Sequence, residues 1–142
     1  MRPDYVCGFL FSPDKEYVVL IRKQKPLWQA GSLNGVGGKI EEGETPMEAM
    51  RREFKEETGV DVLYWKEFAT LGSGQDWRVH FFTADHPWYS SVRTQESEEI
   101  EIHKVADIPR QVMIPNLRWL IPQALGNQAP WPYIIEEHNA TT

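Results

Sequence analysis

Apolar runs in the first 60 residues predict two strands, a loop and a helix. The runs 5–11 and 17–22 are rich in β-forming residues and are joined by the turn-like residues 12–15. Residues 23–38 contain four glycines and one proline, which is typical of a long loop. Because a long loop in a small domain usually serves a function, and this one contains Trp28, we expect it to contribute to a ligand site.

The segment 46–58 has the clearest helix pattern in the chain. Thr45 and Glu48 form a capping box, Pro46 occupies the first helical position, and Gly59 follows the last turn. These residues predict where the helix begins and ends. An apolar stripe for packing on a sheet is formed by Met47, Met50 and Phe54.

The second half of the chain predicts more strands and a second helix. Strands are expected at 60–64, 67–71, 77–84 and 98–105. Alternation in the last of these predicts that Ile100 and Ile102 face inward. The second helix is expected from residue 116 to about residue 125, with Pro122 inside its apolar pattern. We therefore predict a single α/β domain over residues 1–142, with a loose tail from about residue 126.

Charge and composition exclude several classes of protein. Fifteen Lys and Arg against 21 Asp and Glu give a net charge of −6, so we expect no binding to duplex nucleic acid through phosphate neutralisation. The aliphatic run 18–21 is far shorter than the roughly 20 residues of a membrane helix, and no signal-peptide pattern is present. The lone Cys7 cannot form an intramolecular disulfide. We predict a cytoplasmic protein without membrane partners.

Three glutamates crowd one face of the predicted helix. Glu53, Glu56 and Glu57 are spaced i, i+3 and i+4, so their carboxylates lie within reach of a single ion. An ordinary solvated acidic face explains part of this pattern, because Glu48, Arg52 and Glu56 form a ladder of alternating charge. Glu53 and Glu57, however, have no basic residue three or four positions away within the helix.

Repulsion among these carboxylates favours a bound metal. Two like charges 4 Å apart repel by roughly 1 kcal/mol in water and about 4 kcal/mol at a surface-like dielectric, so a partly buried trio needs a counter-charge. Oxygen ligands favour Mg²⁺, with Mn²⁺ as a substitute, over zinc. Because Mg²⁺ bound by a few carboxylates completes its shell with water and substrate phosphates, we predict metal-dependent phosphate chemistry. A structural acidic helix is the alternative.

Residues 38–60 match a known motif, the Nudix box, G-x5-E-x7-R-E-U-x-E-E-x-G-U with U apolar. All its fixed positions agree: Gly38, Glu44, Arg52, Glu53, Phe54, Glu56, Glu57, Gly59 and Val60. The chain thus resembles the Nudix hydrolase family, whose fold is an α/β/α sandwich around a mixed β-sheet. The order of the flanking strands and loops is also similar.

This resemblance implies that water attacks a phosphorus of a nucleoside diphosphate linked to another moiety. By position, Glu53, Glu56 and Glu57 would bind Mg²⁺, and the backbone carbonyl of Gly38 would add a ligand. Arg52 would hold a glutamate in place, and Glu44 would brace the junction between loop and helix.

Outside the box the chain resembles the MutT-like branch, which hydrolyses nucleoside triphosphates, including oxidised ones, to monophosphate and pyrophosphate. The acidic run 96–99 is similar to the segment that sends one more carboxylate to the metal. Glu96 is the first choice and Glu99 the second, and a solvated charge run is the alternative. The general base is left open between Glu53 and this run.

The same resemblance suggests contacts with the base and the phosphates. Trp28 offers a stacking face, with a core anchor as its alternative, and Asn34 offers an amide for a purine edge, with a turn residue as its alternative. Asn116 is a third base contact or a helix N-cap. A net negative protein needs local cations for a polyphosphate, and the predicted ones are Lys39, Arg22, Lys23 and Lys25, with surface residues of no special role as the alternative.

The segment 113–117 departs from the pattern. Animal oxidised-purine hydrolases of the family carry a tryptophan and two adjacent aspartates there, whereas this chain has Ile114, Asn116 and Leu117. The preferred base is therefore left open.

Three functions remain. The leading hypothesis is a nucleoside triphosphate pyrophosphohydrolase acting on a small-molecule nucleotide, as a monomer or homodimer. An ADP-ribose or nucleotide-sugar pyrophosphatase is disfavoured by the short chain, because such enzymes often add an N-terminal dimerisation domain. A non-catalytic nucleotide-binding module is disfavoured by the intact Glu53, Glu56 and Glu57.

Overall fold

In the computed structural model, the chain forms a mixed β-sheet with helices on both faces. The structure describes residues 2–126 and 133–136. The strands are β1 (Asp4–Phe11), β2 (Tyr17–Arg22), β3 (Leu33–Asn34), β4 (Val36–Lys39), β5 (Lys66–Ser73), β6 (Trp77–Asp85), β7 (Glu99–Lys104) and β8 (Tyr133–Glu136). The α-helices are α1 (Pro46–Thr58) and α2 (Leu117–Gly126). Short 3-10 helices cover Leu27–Gln29, Pro87–Ser91 and Val105–Arg110.

Strand β1 lies at the centre of the sheet. It pairs in parallel with β6 along its whole length, from Asp4 to Phe11. On its other side it pairs antiparallel with β4 over residues 5–8 and with β2 at Leu10 and Phe11. The strand order is β3-β2-β1-β6-β5-β8, and β7 pairs with β2. The glycine-rich β4 thus lies against the N-terminal half of the central strand.

Alternate residues of β1 face two separate cores. Val6 and Leu10 are buried in a cluster with Met50 and Phe54 of α1. The alternate residues Cys7, Phe9 and Phe11 are buried in the other cluster, which also contains apolar residues of α2. Near-continuous apolar strands are typical of a sheet covered on both faces. The structure confirms the predicted α/β/α sandwich around a mixed sheet.

Helix α1 begins and ends at the predicted residues. The Thr45 hydroxyl accepts a hydrogen bond from the Glu48 backbone N–H at 3.1 Å, and the Glu48 carboxylate accepts one from the Thr45 N–H at 2.8 Å. Gly59 has φ 80°, a left-handed conformation that favours glycine. The prediction that Met47 belongs to the buried apolar stripe is wrong, because this side chain is 47% exposed near the beginning of the helix.

Two predictions between residues 23 and 64 are wrong. The predicted loop 23–38 contains β3 and β4, which pair with β2 and β1. The predicted strand 60–64 has no strand pairing, although Val60 and Val62 are buried in the α1 cluster. Their alternation reflects packing of an irregular segment against that cluster.

Two predictions near the end of the chain also need correction. Ile102, predicted to face inward, is 39% exposed on β7, which pairs only with β2 among the described residues. Strand β8 pairs in parallel with β5 within the segment expected to be a loose tail; the remainder of that segment after residue 126 lies outside the described residues. No helix in the described part of the chain has the length and apolar character needed to cross a bilayer.

Candidate active site

Arg52 forms the centre of an ion-pair network on α1. Its Nε and Nη2 donate to the Glu44 carboxylate at 2.6 and 2.9 Å, and its Nη1 donates to Glu53 at 2.9 Å. Nη2 also donates to the Lys39 carbonyl at 3.1 Å. The Arg52 hydrogen bond lowers the pKa of the Glu44 carboxyl. Arg52 therefore ties the loop before α1 to the helix and orients Glu53.

Glu57, one turn later, has the opposite surroundings. Its Oε2 is buried and has no hydrogen-bond partner among the described residues. Burial, reinforced by the charges of Glu53, Glu96 and Glu98, raises the pKa of Glu57 to about 7. Burial also raises the pKa of Glu53. The last turn of α1 thus holds carboxylates that lack a sufficient counter-charge.

Strand β4 places Gly38 directly beside Glu53. A Cβ at position 38 would lie 2.5 Å from each Glu53 carboxylate oxygen, so a larger residue there would displace the Glu53 carboxylate. The Glu53 carboxylate and the unpartnered oxygen of Glu57 suit a divalent cation, because both are hard oxygen ligands in a site short of positive charge.

The carboxylates do not form a closed ligand set in this structure. No three His, Cys, Asp or Glu side chains of the described residues converge as a metal cluster. The Glu56 side chain is 50% exposed and pairs with Arg52 Nη1 at 3.3 Å. Because such exposed pairs contribute little, about 0–1 kcal/mol, Glu56 can turn towards a cation at low cost.

A cavity of about 740 Å³ is lined by Gly38, which lies against Glu53, but the carboxylates of α1 are not among its lining residues. Predicted site residues that line it are Lys23, Trp28, Asn34, Gly38, Lys39 and Asn116. Trp28 is 70% exposed on the 3-10 helix at the cavity, which excludes the alternative that it anchors the loop in the core. The volume is in the ordinary range for a small-molecule site, about 300–1,000 Å³.

Three side-chain amides line this cavity, those of Gln29, Asn34 and Asn116. The Asn34 Oδ1 accepts a hydrogen bond from the Gly35 N–H at 2.8 Å, and its Nδ2 donates to Gln29 Oε1 at 3.2 Å. Asn116 immediately precedes α2, and its carbonyl accepts a hydrogen bond from Leu120 N–H at 3.0 Å. Its side-chain amide has no partner in the described part of the chain, and it lines the cavity.

Two of the predicted phosphate-binding cations do not line the cavity. Arg22 donates to the Glu101 carboxylate at 2.7 and 2.9 Å and to the Gly31 carbonyl at 3.1 Å. This pairing lowers the pKa of Glu101 to about 2. Lys25 is exposed and also lies outside the cavity lining. Arg22 therefore joins β2, β7 and the end of the loop, and Lys23 and Lys39 are the predicted cations that reach the cavity.

The acidic run 96–99 is attached to the end of α1. Gln95 N–H donates to the Glu57 carbonyl at 3.2 Å. Glu96 is exposed, and its charge contributes to the raised pKa of Glu57. Glu99 is exposed at the start of β7, opposite Arg22. Glu98, which the sequence did not single out, is buried.

Part of the cavity comes from residues that sequence reasoning missed. The alternate residues Trp77, Val79 and Phe81 of β6 line it, and their period of two marks one face of a strand. Leu33 of β3 joins the segment before α2 through hydrogen bonds to Val112 and Ile114 at 2.9 and 3.0 Å. This link brings Ile114 and Asn116 to the same cavity as Trp28.

Comparisons with known proteins identify the family of the chain. The NUDIX domain model matches residues 1–124. A mouse (Mus musculus) protein, oxidized purine nucleoside triphosphate hydrolase, is 39% identical over 83 residues, which are 55% of this chain and 53% of the mouse protein. The chain thus spans about half the length of the curated relatives it matches.

Solved structures show the same fold. A MutT chain from a study of the Aliivibrio salmonicida and Vibrio cholerae proteins matches with a TM-score of 0.70 at 21% identity, covering 88% of this chain and 97% of that chain. The NUDIX domain of Shewanella oneidensis NrtR in complex with ADP ribose matches with a TM-score of 0.77 at 21% identity, covering 91% and 90%. Together with the family match over most of its length, these findings show that the chain belongs to the Nudix family.

Proposed function

We propose that this protein hydrolyses nucleoside triphosphates to monophosphate and pyrophosphate, in a reaction that depends on Mg²⁺. The observation that carries the proposal is the buried, unpartnered Oε2 of Glu57. Gly38, which lies against Glu53 of the same helix, lines a cavity together with Trp28 and three side-chain amides. The similarity to the mouse oxidized purine nucleoside triphosphate hydrolase supports this substrate class.

Glu53, Glu56 and Glu57 would hold the metal, with the Gly38 carbonyl and Glu96 as further ligands. Nudix hydrolases generally need a divalent metal; Mg²⁺ suits carboxylate oxygens, and Mn²⁺ is the expected substitute. When bound, such an ion neutralises charge on the phosphate oxygens and lowers the pKa of a coordinated water.

The remaining residues bind and orient the nucleotide. Trp28 would stack on the base, and Asn34 and Asn116 would hydrogen-bond to its edge. Lys23 and Lys39 would attract the phosphates to the cavity. Arg52 holds Glu53 in place at 2.9 Å, which suits a general base that accepts the proton of the attacking water. Glu96 and Glu99 are the other candidate bases, and Glu96 is the better placed, because its charge acts on Glu57.

The test is a substrate panel with identification of the products. Protein and Mg²⁺ are incubated with ordinary, oxidised and methylated nucleoside triphosphates, ADP-ribose and nucleotide sugars. Release of monophosphate plus pyrophosphate from a triphosphate is the expected result. Cleavage confined to ADP-ribose or to nucleotide sugars would transfer the assignment to those substrates, and the absence of any cleavage would support a binding module.

An ADP-ribose pyrophosphatase is the second candidate. It is favoured by the structural similarity to a NUDIX domain solved with ADP ribose. The cytoplasmic location and the choice between monomer and homodimer stay predictions from the sequence.

A further inference from the structure

Glu98 is a buried carboxylate that binds three consecutive residues of the cavity loop. Its Oε1 accepts a hydrogen bond from Lys23 Nζ at 2.8 Å, and its Oε2 accepts hydrogen bonds from the backbone N–H groups of Gln24 at 2.6 Å and Lys25 at 3.2 Å. The Gln24 side chain also donates to the Ser97 carbonyl at 2.9 Å. Both oxygens of Glu98 are thus bound by the loop.

Backbone hydrogen bonds join the two ends of this loop at its base. Gly31 N–H donates to the Lys23 carbonyl at 2.8 Å, and Lys23 N–H donates to the Ser32 carbonyl at 2.9 Å. Between these bonds the chain is exposed at Leu27 and Trp28, which are 90% and 70% accessible. Trp28 therefore depends on the bonds at the base of the loop for its position, since little packing holds it directly.

Glu98 also determines where the charge of Lys23 lies. Lys23 lines the cavity, and its salt bridge to Glu98 is partly buried, with the two side chains 22% and 9% exposed. Backbone hydrogen bonds from Arg93 to Thr58 and from Gln95 to Glu57 attach the preceding segment to the end of α1. The segment that carries Glu98 consequently connects the end of α1 with the loop that carries Trp28.

We propose that Glu98 is a positioning residue for nucleotide binding, which holds the Lys23 ammonium and the Trp28 loop in place, and that it does not ligate the metal. This inference rests on the proposed function, because it assigns Lys23 and Trp28 to the binding of a nucleotide. The two glutamates then have different roles. Glu98 binds the loop, whereas the charge of Glu96 acts on Glu57 of α1.

Hydrogen exchange tests the structural half of the proposal without any turnover. In the unaltered protein, the backbone N–H groups of Gln24 and Lys25 should exchange slowly. Glu98→Gln keeps one side-chain oxygen for these two donors and should retain most of their protection, whereas Glu98→Ala should remove it. Unchanged protection in Glu98→Ala, with the circular dichroism spectrum preserved, would overturn the proposal.

Kinetics and equilibrium binding test the functional half. Glu98→Gln places an amide against Lys23 Nζ and should raise KM and the nucleotide Kd on the order of tenfold while changing kcat by less than about twofold. Lys23→Met should act similarly, and the double variant should be no worse than either single one. Asp85→Asn, which removes the same charge from an exposed pair with Lys15, should leave both constants unchanged.

The opposite pattern would contradict the assignment. A large fall in kcat together with weaker Mg²⁺ binding in Glu98→Gln would make Glu98 a metal ligand. Unaltered kcat and KM would remove its role in nucleotide binding. If the protein hydrolyses no nucleotide, the proposed function fails, while hydrogen exchange and the nucleotide Kd still decide the role of Glu98.

Discussion

The last turn of α1 and the run 96–99 each contain a glutamate with a buried carboxylate oxygen, but the surroundings of the two carboxylates are opposite. Glu57 has a buried oxygen with no partner in the described residues, and burial raises its pKa to about 7. For Glu98 burial also acts to raise the pKa, but hydrogen bonds from Lys23, Gln24 and Lys25 outweigh it and lower the pKa. The two side chains are close enough that the charge of Glu98 acts on Glu57.

This difference shows how structural and functional carboxylates can be separated. A buried charge without a partner destabilises the fold, so a chain that keeps one has a use for it outside the protein's own contacts. A buried carboxylate with three donors has its partners within the fold and acts by holding them. On this ground we propose a cation as the partner of Glu57 and the loop at residues 23–25 as the partner of Glu98.

The largest effect is expected for Glu57→Gln. This change removes a proposed metal ligand, so kcat should fall by orders of magnitude, while the fold persists because repulsion from Glu53 and Glu96 is relieved. Steady-state kinetics and circular dichroism provide the measurement. Glu42→Gln, at an exposed position in the preceding loop, is the control and should retain activity. Full activity in Glu57→Gln would reject the metal assignment.

The next largest effect is expected for Arg52→Met, which should lower the stability of the fold. It leaves Glu44 and the Lys39 carbonyl without their donor, so the free energy of unfolding should fall by about 2 kcal/mol. The matched control is Arg51→Met on the same helix. Arg51 is 50% exposed and forms a bidentate pair with Asp61, so its loss should cost under about 1 kcal/mol. An equal fall in the free energy of unfolding of both variants, measured in urea, would show that the Arg52 network contributes no more to stability than the exposed Arg51–Asp61 pair.

Trp28→Ala should weaken nucleotide binding without altering the fold. Stacking on an aromatic side chain contributes roughly 1–3 kcal/mol per base, so KM should rise about tenfold or more. Trp28→Phe should recover much of the loss, which separates stacking from a general effect on the loop. Trp88→Ala, at another exposed tryptophan, should leave KM unchanged.

The smallest effect concerns pH and Mg²⁺. The pKa of Glu57 is raised above its unfolded value, so the metal-free fold binds an extra proton and loses stability as pH rises towards about 7. Mg²⁺ should therefore raise Tm by more at pH 8, where Glu57 is ionised, than at pH 5.5, where a proton competes with the ion. Thermal unfolding at both pH values measures this, and Glu57→Gln should abolish the difference. An equal rise in Tm at both values would place the bound ion elsewhere.

The sequence predicted the parts of the molecule that depend on local chemistry. Helix α1 was correct at both ends because Thr45, Pro46 and Gly59 act within a few residues of the helix itself. Strand β4 was missed because its glycines look like a loop. Gly37 is in fact required by close approach of the Val6 carbonyl from a strand distant in sequence. Contacts of this kind depend on register, which a glycine-rich strand specifies only weakly.

The same limit applies to the site. Spacing alone predicts Glu53, Glu56 and Glu57 as a group, because a helix places residues three and four apart on one face. Glu98 was indistinguishable from Glu96 and Glu99, since its burial and its three donors arise only when β7 pairs with β2 beside the loop. Arg22, predicted to meet phosphate, faces Glu101 across those strands for the same reason.

The most direct test of the central claim is the location of a bound paramagnetic ion. Mn²⁺ is titrated into the isotope-labelled protein, and broadening of its amide resonances is followed by NMR. We predict that Gly38, Glu53 and Glu57 broaden first, that excess Mg²⁺ reverses the effect, and that Glu57→Gln greatly weakens it. Broadening centred elsewhere, or spread evenly over exposed carboxylates, would contradict the claim that the unpartnered turn of α1 binds the metal.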